Sequence, residues 1–281
     1  MTRPPSIDLH LHTTASDGRC TPVELVDRAA TAGLTTLAVT DHDTTAAIDE
    51  VRQLAAARGI EAIAGIEITA LDDDRRDVHI LGYFFDPQHH ALDRFLAEQR
   101  AARRARARAI GDRLAALGMP VDLTPLFARA AEDSRRSIGR PLIARALVEA
   151  GYVVDTKEAF DRWLGTGCPA FVPRTGAPPE VVVAIIHEAG GLASLAHPGK
   201  LRREPRIAPM ADAGLDAVEV FHPDHDPALV ERYLGVAREL GLLVTGGSDF
   251  HGDPAHGLEP GSVTLPAAQF ERLRLAADGR R

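Results

Sequence analysis

The sequence predicts an α/β fold in which about seven strands alternate with helices, giving a mainly parallel sheet close to a barrel in strand count. Short apolar or period-two runs alternate with amphipathic segments. Nearly every such run ends on a histidine or a carboxylate. Between about residues 88 and 175 the rhythm changes to long helical segments, which marks an inserted helical subdomain in a barrel formed by 1–87 and 176–281.

Residues 6–12, Ser-Ile-Asp-Leu-His-Leu-His, alternate apolar with polar, so Asp8, His10 and His12 share one face of a strand. A helix over 22–32 follows, with Thr21 as its cap, Pro22 in its first turn, Glu24 three residues after the cap and Gly33 as its stop. The pattern then predicts a strand over 34–40, a helix over 44–58, for which an N-cap by Asp43 or Thr44 competes with their reading as polar groups at the strand exit, and strands over 60–69 and 78–84. Inside the insertion, helices are predicted over 91–117, 123–131, 140–150 and 156–164. Strands over 192–196, 217–221 and 242–245, with helices over 179–189, 205–213 and 227–240, complete the barrel.

Hydrophobic residues at 45% and charged residues at 26% describe an ordinary globular chain, neither disordered nor fibrous. A formal charge of −8 opposes binding of a long polyanion, so a small phosphorylated substrate is expected and duplex DNA is not. The two cysteines, Cys20 and Cys168, lack CxxC spacing and indicate neither a disulfide framework nor a thiolate zinc site. Any metal work falls to histidine. No stretch approaches the roughly 20 apolar residues that span a bilayer, and Met1 to Ser6 lacks the apolar core of a secretory leader. A cytoplasmic location and no membrane partner are expected.

The strand ends carry His10 and His12, then Asp41-His42-Asp43, Glu67, His79, His197, His222, and Asp249-Phe250-His251. Asp17 lies in a polar turn, Thr13 to Gly18, that can fold back over the first strand. Each has an ordinary reading alone: Asp17 as an Asp-Gly turn, His197 as a satisfied loop histidine. Their recurrence at nearly every strand end points instead to one site, because the carboxyl ends of barrel strands converge. Imidazole and carboxylate without thiolate suit zinc, manganese or iron in an open site. Seven arginines between 94 and 113 can be a solvated helix with packed aliphatic stems or a phosphate-attracting lid.

These motifs, Asp8-Leu-His10-Leu-His12, Thr40-Asp41-His42, Gly65-Ile-Glu67, His79, His197-Pro198 and Gly247-Ser248-Asp249-Phe250-His251, resemble those of the polymerase-and-histidinol-phosphatase (PHP) superfamily. The resemblance implies a distorted (β/α)7 barrel with a trinuclear centre. By that likeness His10, His12, Glu67 and Asp249 hold one divalent cation, Glu67 bridges to a second held by His79 and His197, and Asp17, His42 and His251 complete a third. Ser137-Ile-Gly-Arg140-Pro141 and Glu219-Val-Phe-His222-Pro223 resemble the stand-alone branch of that superfamily, which acts on nucleotides and short RNA.

The expected activity is metal-dependent phosphoesterase action on a nucleotide, a 3′,5′-bisphosphonucleotide or an AMP-like monoester, by attack of a metal-bound hydroxide. Arg140, Lys200 and Arg135 are expected to clamp phosphate outside the metal shell. His222 is expected to contact the phosphate or protonate the leaving oxygen. The rival readings are a 5′-3′ exoribonuclease on short 5′-phosphorylated RNA, a histidinol phosphatase and a non-catalytic metal-binding module.

Overall fold

Strand β1 (Ile7–Leu11) is buried along its whole length: its apolar side chains enter the core, and its polar face, with Asp8 and His10, is covered as well. The structure, a computed structural model, describes residues 5–201, 206–254 and 257–280. Helix α1 (Pro22–Ala32) follows with the predicted capping box: Thr21 Oγ1 accepts from the Glu24 N–H, the Glu24 carboxylate accepts from the Thr21 N–H, and Gly33 closes the helix at φ 75°. Strand β2 (Thr36–Val39), helix α2 (Ile48–Ala56), and strands β3 (Glu61–Leu71) and β4 (Asp77–Tyr83) come next.

Helix α2 starts later than expected, and neither Asp43 nor Thr44 caps it. Asp43 sits at φ 53° with its carboxylate turned to the Thr69 N–H, 3.0 Å away, while Thr44 Oγ1 accepts from the Ala46 N–H at 3.1 Å.

Between β4 and β5 stand α3 (His90–Ala116), α4 (Thr124–Glu132), α5 (Arg140–Glu149) and α6 (Thr156–Ala159), the last running into a π-helical turn over Phe160–Leu164. The chain then alternates again through α7 (Pro179–Glu188), β5 (Leu192–Leu195), α8 (Ile207–Asp212), β6 (Ala217–Phe221), α9 (Pro227–Glu239) and β7 (Leu243–Gly246). The predicted helix start at 205 and the leading residues Met1 to Pro4 lie outside the described residues. Helix α10 (Ala267–Asp278) was not anticipated; its Phe270, Leu273 and Ala277 are buried in the barrel core.

The seven strands form one sheet in chain order. Strands β1–β3 are mutually parallel, as are β5–β7, but β4 runs antiparallel to both of its neighbours. This reversal decides where the site can form. The start of β4 reaches the rim where the other strands finish, so His79, opposite Thr69 in register, arrives there from the beginning of its strand rather than its end. The sheet's two edges meet beyond β7, where Leu11 bridges Phe250 and the His12 N–H donates to the Phe250 carbonyl at 2.9 Å.

The barrel core continues into the first turns of α3 through Leu92 and Leu96, whereas Ile110, Leu114, Ile143, Leu147 and Leu164 gather into a separate apolar cluster among the inserted helices. One long helix is therefore shared between both cores. Among the described residues no helix is long and apolar enough to cross a membrane.

Candidate active site

The site is built on short irregular segments at the rim, two of which only glycine permits. A Cβ on Gly18 would meet the His12 carbonyl oxygen at 2.5 Å, so its absence lets the turn carrying Asp17 fold back over the end of β1. A Cβ on Gly247 would meet the His10 nitrogen at 2.4 Å, so the chain leaving β7 can pass against β1. Beyond these turns His197 (φ 28°) and Asp249 (φ 50°) hold left-handed backbone, a strained conformation that surrounding contacts must maintain.

Buried Glu67 is the meeting point. Its Oε2 lies 3.4 Å from His10 Nε2, 3.3 Å from His12 Nε2 and 3.2 Å from His42 Nδ1; its Oε1 lies 2.7 Å from His79 Nδ1 and 3.1 Å from His197 Nε2. Asp249 Oδ1 stands 3.3 Å from the Nε2 atoms of both His10 and His12. Asp17 completes a neighbouring group, with His251 Nε2 at 3.4 Å, His42 Nε2 at 3.7 Å and His12 Nδ1 at 4.0 Å. All nine residues singled out for metal in the sequence thus lie in one cluster, and three sets within it bring ligand atoms close enough for a shared ion: His12-Asp17-His42-His251, His10-His12-Glu67 and His42-Glu67-His79. His12 and His42 each stand between two sets, so the groups share members more than the sequence suggests.

The donor set fits divalent cations. Neither ring nitrogen of fully buried His12 has a hydrogen-bond partner, and neither has His42 Nδ1, although carboxylate oxygens are within reach. Buried nitrogens left so are costly unless something else uses their lone pairs. Burial holds His42 down to about 3 and His197 down to about 4, so both rings are neutral and keep lone pairs for a cation at neutral pH. Burial pushes the Glu67 carboxyl up, but the histidines that face it outweigh it and hold Glu67 well below the usual carboxylate range. For Asp249, burial is likewise outweighed, chiefly by Lys200 and then by His10.

Two aspartates of the same motifs do other work. Asp8 accepts from Ser248 Oγ at 2.6 Å and from the Ser248 and Gly261 N–H groups, while Asp41 accepts from Thr13 N–H at 2.8 Å and Ser16 Oγ at 2.6 Å. They fix the loops that present the cluster.

A cavity of about 570 Å³, counting its open mouth, lies beside the cluster, lined by Asp17, His42 and His79 and by Arg103, Arg106, Arg140 and Arg174. A larger cleft of about 2120 Å³, counting its open mouth, shares Arg106, Arg140, Arg174 and Phe160 and adds Lys200 and Phe171. Burial, then repulsion from neighbouring guanidinium groups, holds Arg106 down to about 9 and Arg174 down to about 10, and Arg174 Nε has no hydrogen bond. Cations crowded in this way favour an anion between them.

The arginines of α3 divide between the cavity and packing. Arg103 and Arg106 line the cavity, while Arg100 donates to the Ser134 and Asp43 carbonyls and Arg108 stacks over Phe127 at 4.8 Å.

The remaining candidates are placed differently from one another. Arg140 Nη2 lies 3.0 Å from Asp77 Oδ2 on the cavity wall, and Lys200 Nζ lies 2.9 Å from Asp249 Oδ2. Arg135 is exposed and its Nε lies 3.4 Å from Asp133 in its own turn. His222 is buried, with Nε2 3.2 Å from Asp249 Oδ2 and Nδ1 accepting from the Asp224 N–H at 3.0 Å. Sequence reasoning passed over His225, which holds the turn after His197 by accepting from the Gly199 N–H at 3.0 Å and donating to the Val220 carbonyl at 2.8 Å.

A seven-stranded α/β barrel with a rim of imidazoles and carboxylates beside an arginine-lined cavity defines a hydrolase of the metal-dependent phosphoesterase class. The model of the PHP domain matches residues 8–123. The chain is 37% identical to the 5′-3′ exoribonuclease Rnm of Salmonella typhimurium, over 92% of its own length and 90% of the relative's. It is 36% identical to the 3′,5′-nucleoside bisphosphate phosphatase of Chromobacterium violaceum, over 91% and 90%. A solved structure assigned as a metal-dependent phosphoesterase, from Bifidobacterium adolescentis, superposes with a TM-score of 0.88 at 35% identity, covering 98% of each chain. The chain belongs to the PHP family of phosphoesterases.

Proposed function

We propose that the protein hydrolyses a phosphate monoester of a nucleotide, a 3′,5′-bisphosphonucleotide or an AMP-like compound, at a centre of three divalent cations of manganese, zinc or iron. The observation that carries this reading is the convergence of five histidine nitrogens on the two oxygens of Glu67, beside a cavity lined by four arginines. His10, His12, Glu67 and Asp249 would hold the first cation, Glu67, His79 and His197 the second, and Asp17, His42 and His251 the third. When bound, such cations supply a water of lowered pKa and offset charge on the phosphoryl oxygens.

The chain's own residues bind and aim the substrate. Arg140 and Lys200 would take the phosphate oxygens through charge-assisted hydrogen bonds, Arg106 and Arg174 adding positive field in the same cavity. Arg135 is left out of this clamp because it is exposed and paired within its own turn. His222 holds Asp249; to protonate the leaving oxygen it would first have to release that carboxylate. The four guanidinium groups disfavour a cationic amino alcohol such as histidinol phosphate. The free cysteines Cys20 and Cys168 suit a reducing, cytoplasmic setting.

A second reading, exoribonuclease action on short 5′-phosphorylated RNA, is favoured by the larger cleft, which extends the arginine-lined cavity to Lys200 and offers Phe160 and Phe171 as stacking faces. The Salmonella relative bears that name and the Chromobacterium relative the phosphatase name. Phosphate release is to be measured in manganese on AMP, adenosine 3′,5′-bisphosphate, histidinol phosphate and a 5′-phosphorylated trinucleotide. We expect turnover of a nucleotide substrate and little of histidinol phosphate; turnover of histidinol phosphate alone, or of none, contradicts the reading. In the same assay Arg140→Ala is expected to lower kcat/KM by roughly 10- to 150-fold, the value of a hydrogen bond to a charged group. Arg135→Ala is expected to stay within about twofold of wild type.

A further inference from the structure

Glu219 is the third residue of the strand Ala217-Val-Glu-Val-Phe, has no exposed surface, and stands in none of the proposed cation groups. An ionised carboxylate in a buried strand is costly unless well partnered. Its two oxygens are divided between two parts of the active site. Oε1 lies 2.8 Å from His10 Nδ1, and Oε2 accepts from the His197 N–H at 2.7 Å.

We propose that Glu219 is a positioning residue for the metal centre, setting the tautomer of His10 and the backbone of His197 with one carboxylate. This rests on the functional reading above, in which His10 belongs to the first cation group and His197 to the second.

A carboxylate only accepts, so His10 must carry its proton on Nδ1 and donate it to Glu219. Nε2 is then the ring atom that faces Glu67 and Asp249, 3.4 and 3.3 Å away, and the one whose lone pair a bound cation would take. The other oxygen captures the N–H of a residue at φ 28°, where a side chain is rarely tolerated. Releasing that hydrogen bond removes one of the contacts that keep His197 strained and its Nε2 near Glu67 Oε1.

Glutamine is the discriminating replacement because it keeps the shape and loses one acceptor. If its oxygen stays with the His197 N–H, its amide faces His10 Nδ1 and drives the ring to the tautomer protonated on Nε2, which has no lone pair for a cation. If it turns round, two donors meet at His197. In either orientation the fold keeps its packing and the centre loses a component. Aspartate, one methylene shorter, keeps the charge but cannot span both partners.

The test is manganese titration by calorimetry into metal-depleted wild type, E219Q and E219D, together with thermal unfolding and the visible absorption of the cobalt-loaded proteins, which reports ligand number and geometry. E219Q is expected to bind manganese about 10- to 100-fold more weakly, as is usual when a group that orients a ligand is lost. Its cobalt spectrum should change, and E219D should lie between it and wild type. Wild-type affinity and an unchanged cobalt spectrum in E219Q would overturn the proposal; should E219Q fail to fold, E219D decides on the same two readouts. If wild type itself takes up no cation, the functional reading fails as well, whereas binding by wild type with no difference in the variants removes only the part given to Glu219.

Discussion

Glu67→Ala is expected to lower phosphate release by at least ~10³-fold, beyond the 10²- to 10³-fold that loss of a single electrostatic donor costs an enzyme. The reason lies in what converges on this carboxylate. His10, His12, His42, His79 and His197 all bring a ring nitrogen within 3.4 Å of one of its oxygens, and two of the proposed cation groups share it. If those rings and Glu67 hold cations, bound metal should fall together with activity. Far-UV circular dichroism should change little, because the partners of the Glu67 carboxylate are the histidine side chains of the rim. His10→Ala and Asp249→Ala should act in the same direction. A Glu67→Ala protein that retains wild-type turnover and metal content would remove the basis for the reading.

Arg103→Ala is expected to cost about 3–5 kcal/mol of stability, the usual result of removing one partner of a buried ion pair. Arg103 Nε bonds the Asp43 carboxylate, its Nη2 donates to Thr69 Oγ1 at 2.9 Å, and both charged partners are buried. Through this contact the inserted α3 is fastened to the loop after β2 and to β3. The variant leaves the Asp43 carboxylate with the Thr69 N–H at 3.0 Å and with Arg174 at 3.6 Å. Urea titration reads the effect as a lower midpoint.

The pair also has a pH signature. Burial pushes the Asp43 carboxyl up, but Arg103 and then Arg174 outweigh it and hold it below the usual range. A carboxyl depressed in the fold stabilises the protein above its unfolded value of about 3.9, and that contribution is lost as pH falls through the lower folded value. The stability gap between wild type and Arg103→Ala should therefore be full near neutrality and narrow below about pH 4. A gap that is constant with pH would assign the loss to packing alone.

Much of this architecture can be read from the chain because its local signals agree with its tertiary demands. The alternation Asp8-Leu-His10-Leu-His12 sets strand and face together, and Thr21, Pro22, Glu24 and Gly33 bracket a helix from both ends. Ligand types at strand ends mark the rim, since a barrel brings those ends together whatever their separation in sequence. The direction of β4 is different, because a strand's own pattern does not reveal which way its neighbours run. The signal available was the connection: residues 72–76 between β3 and β4 are too few for a parallel crossover, which needs a dozen or more.

Asp43 reads as a helix cap in sequence because its partner, Arg103, is 60 positions away. Glu219 was visible as a lone charge inside an apolar strand, which is the mark of a buried carboxylate with fixed partners, yet nothing local names His10 and His197 as those partners. The same limit separates Arg140 from Arg135. They are close in sequence, but one is turned to the cavity and the other to Asp133, and only the fold distinguishes them.

The central claim is that the imidazole and carboxylate cluster holds divalent cations on which phosphoester cleavage depends. It is tested most directly by stripping the protein with a chelator, removing the chelator, and following phosphate release from adenosine 3′,5′-bisphosphate and AMP as manganese is titrated back. Activity should vanish on stripping and return in step with cation uptake, with the fold intact throughout. Release that survives stripping, or a folded protein that takes up no cation, would contradict the account.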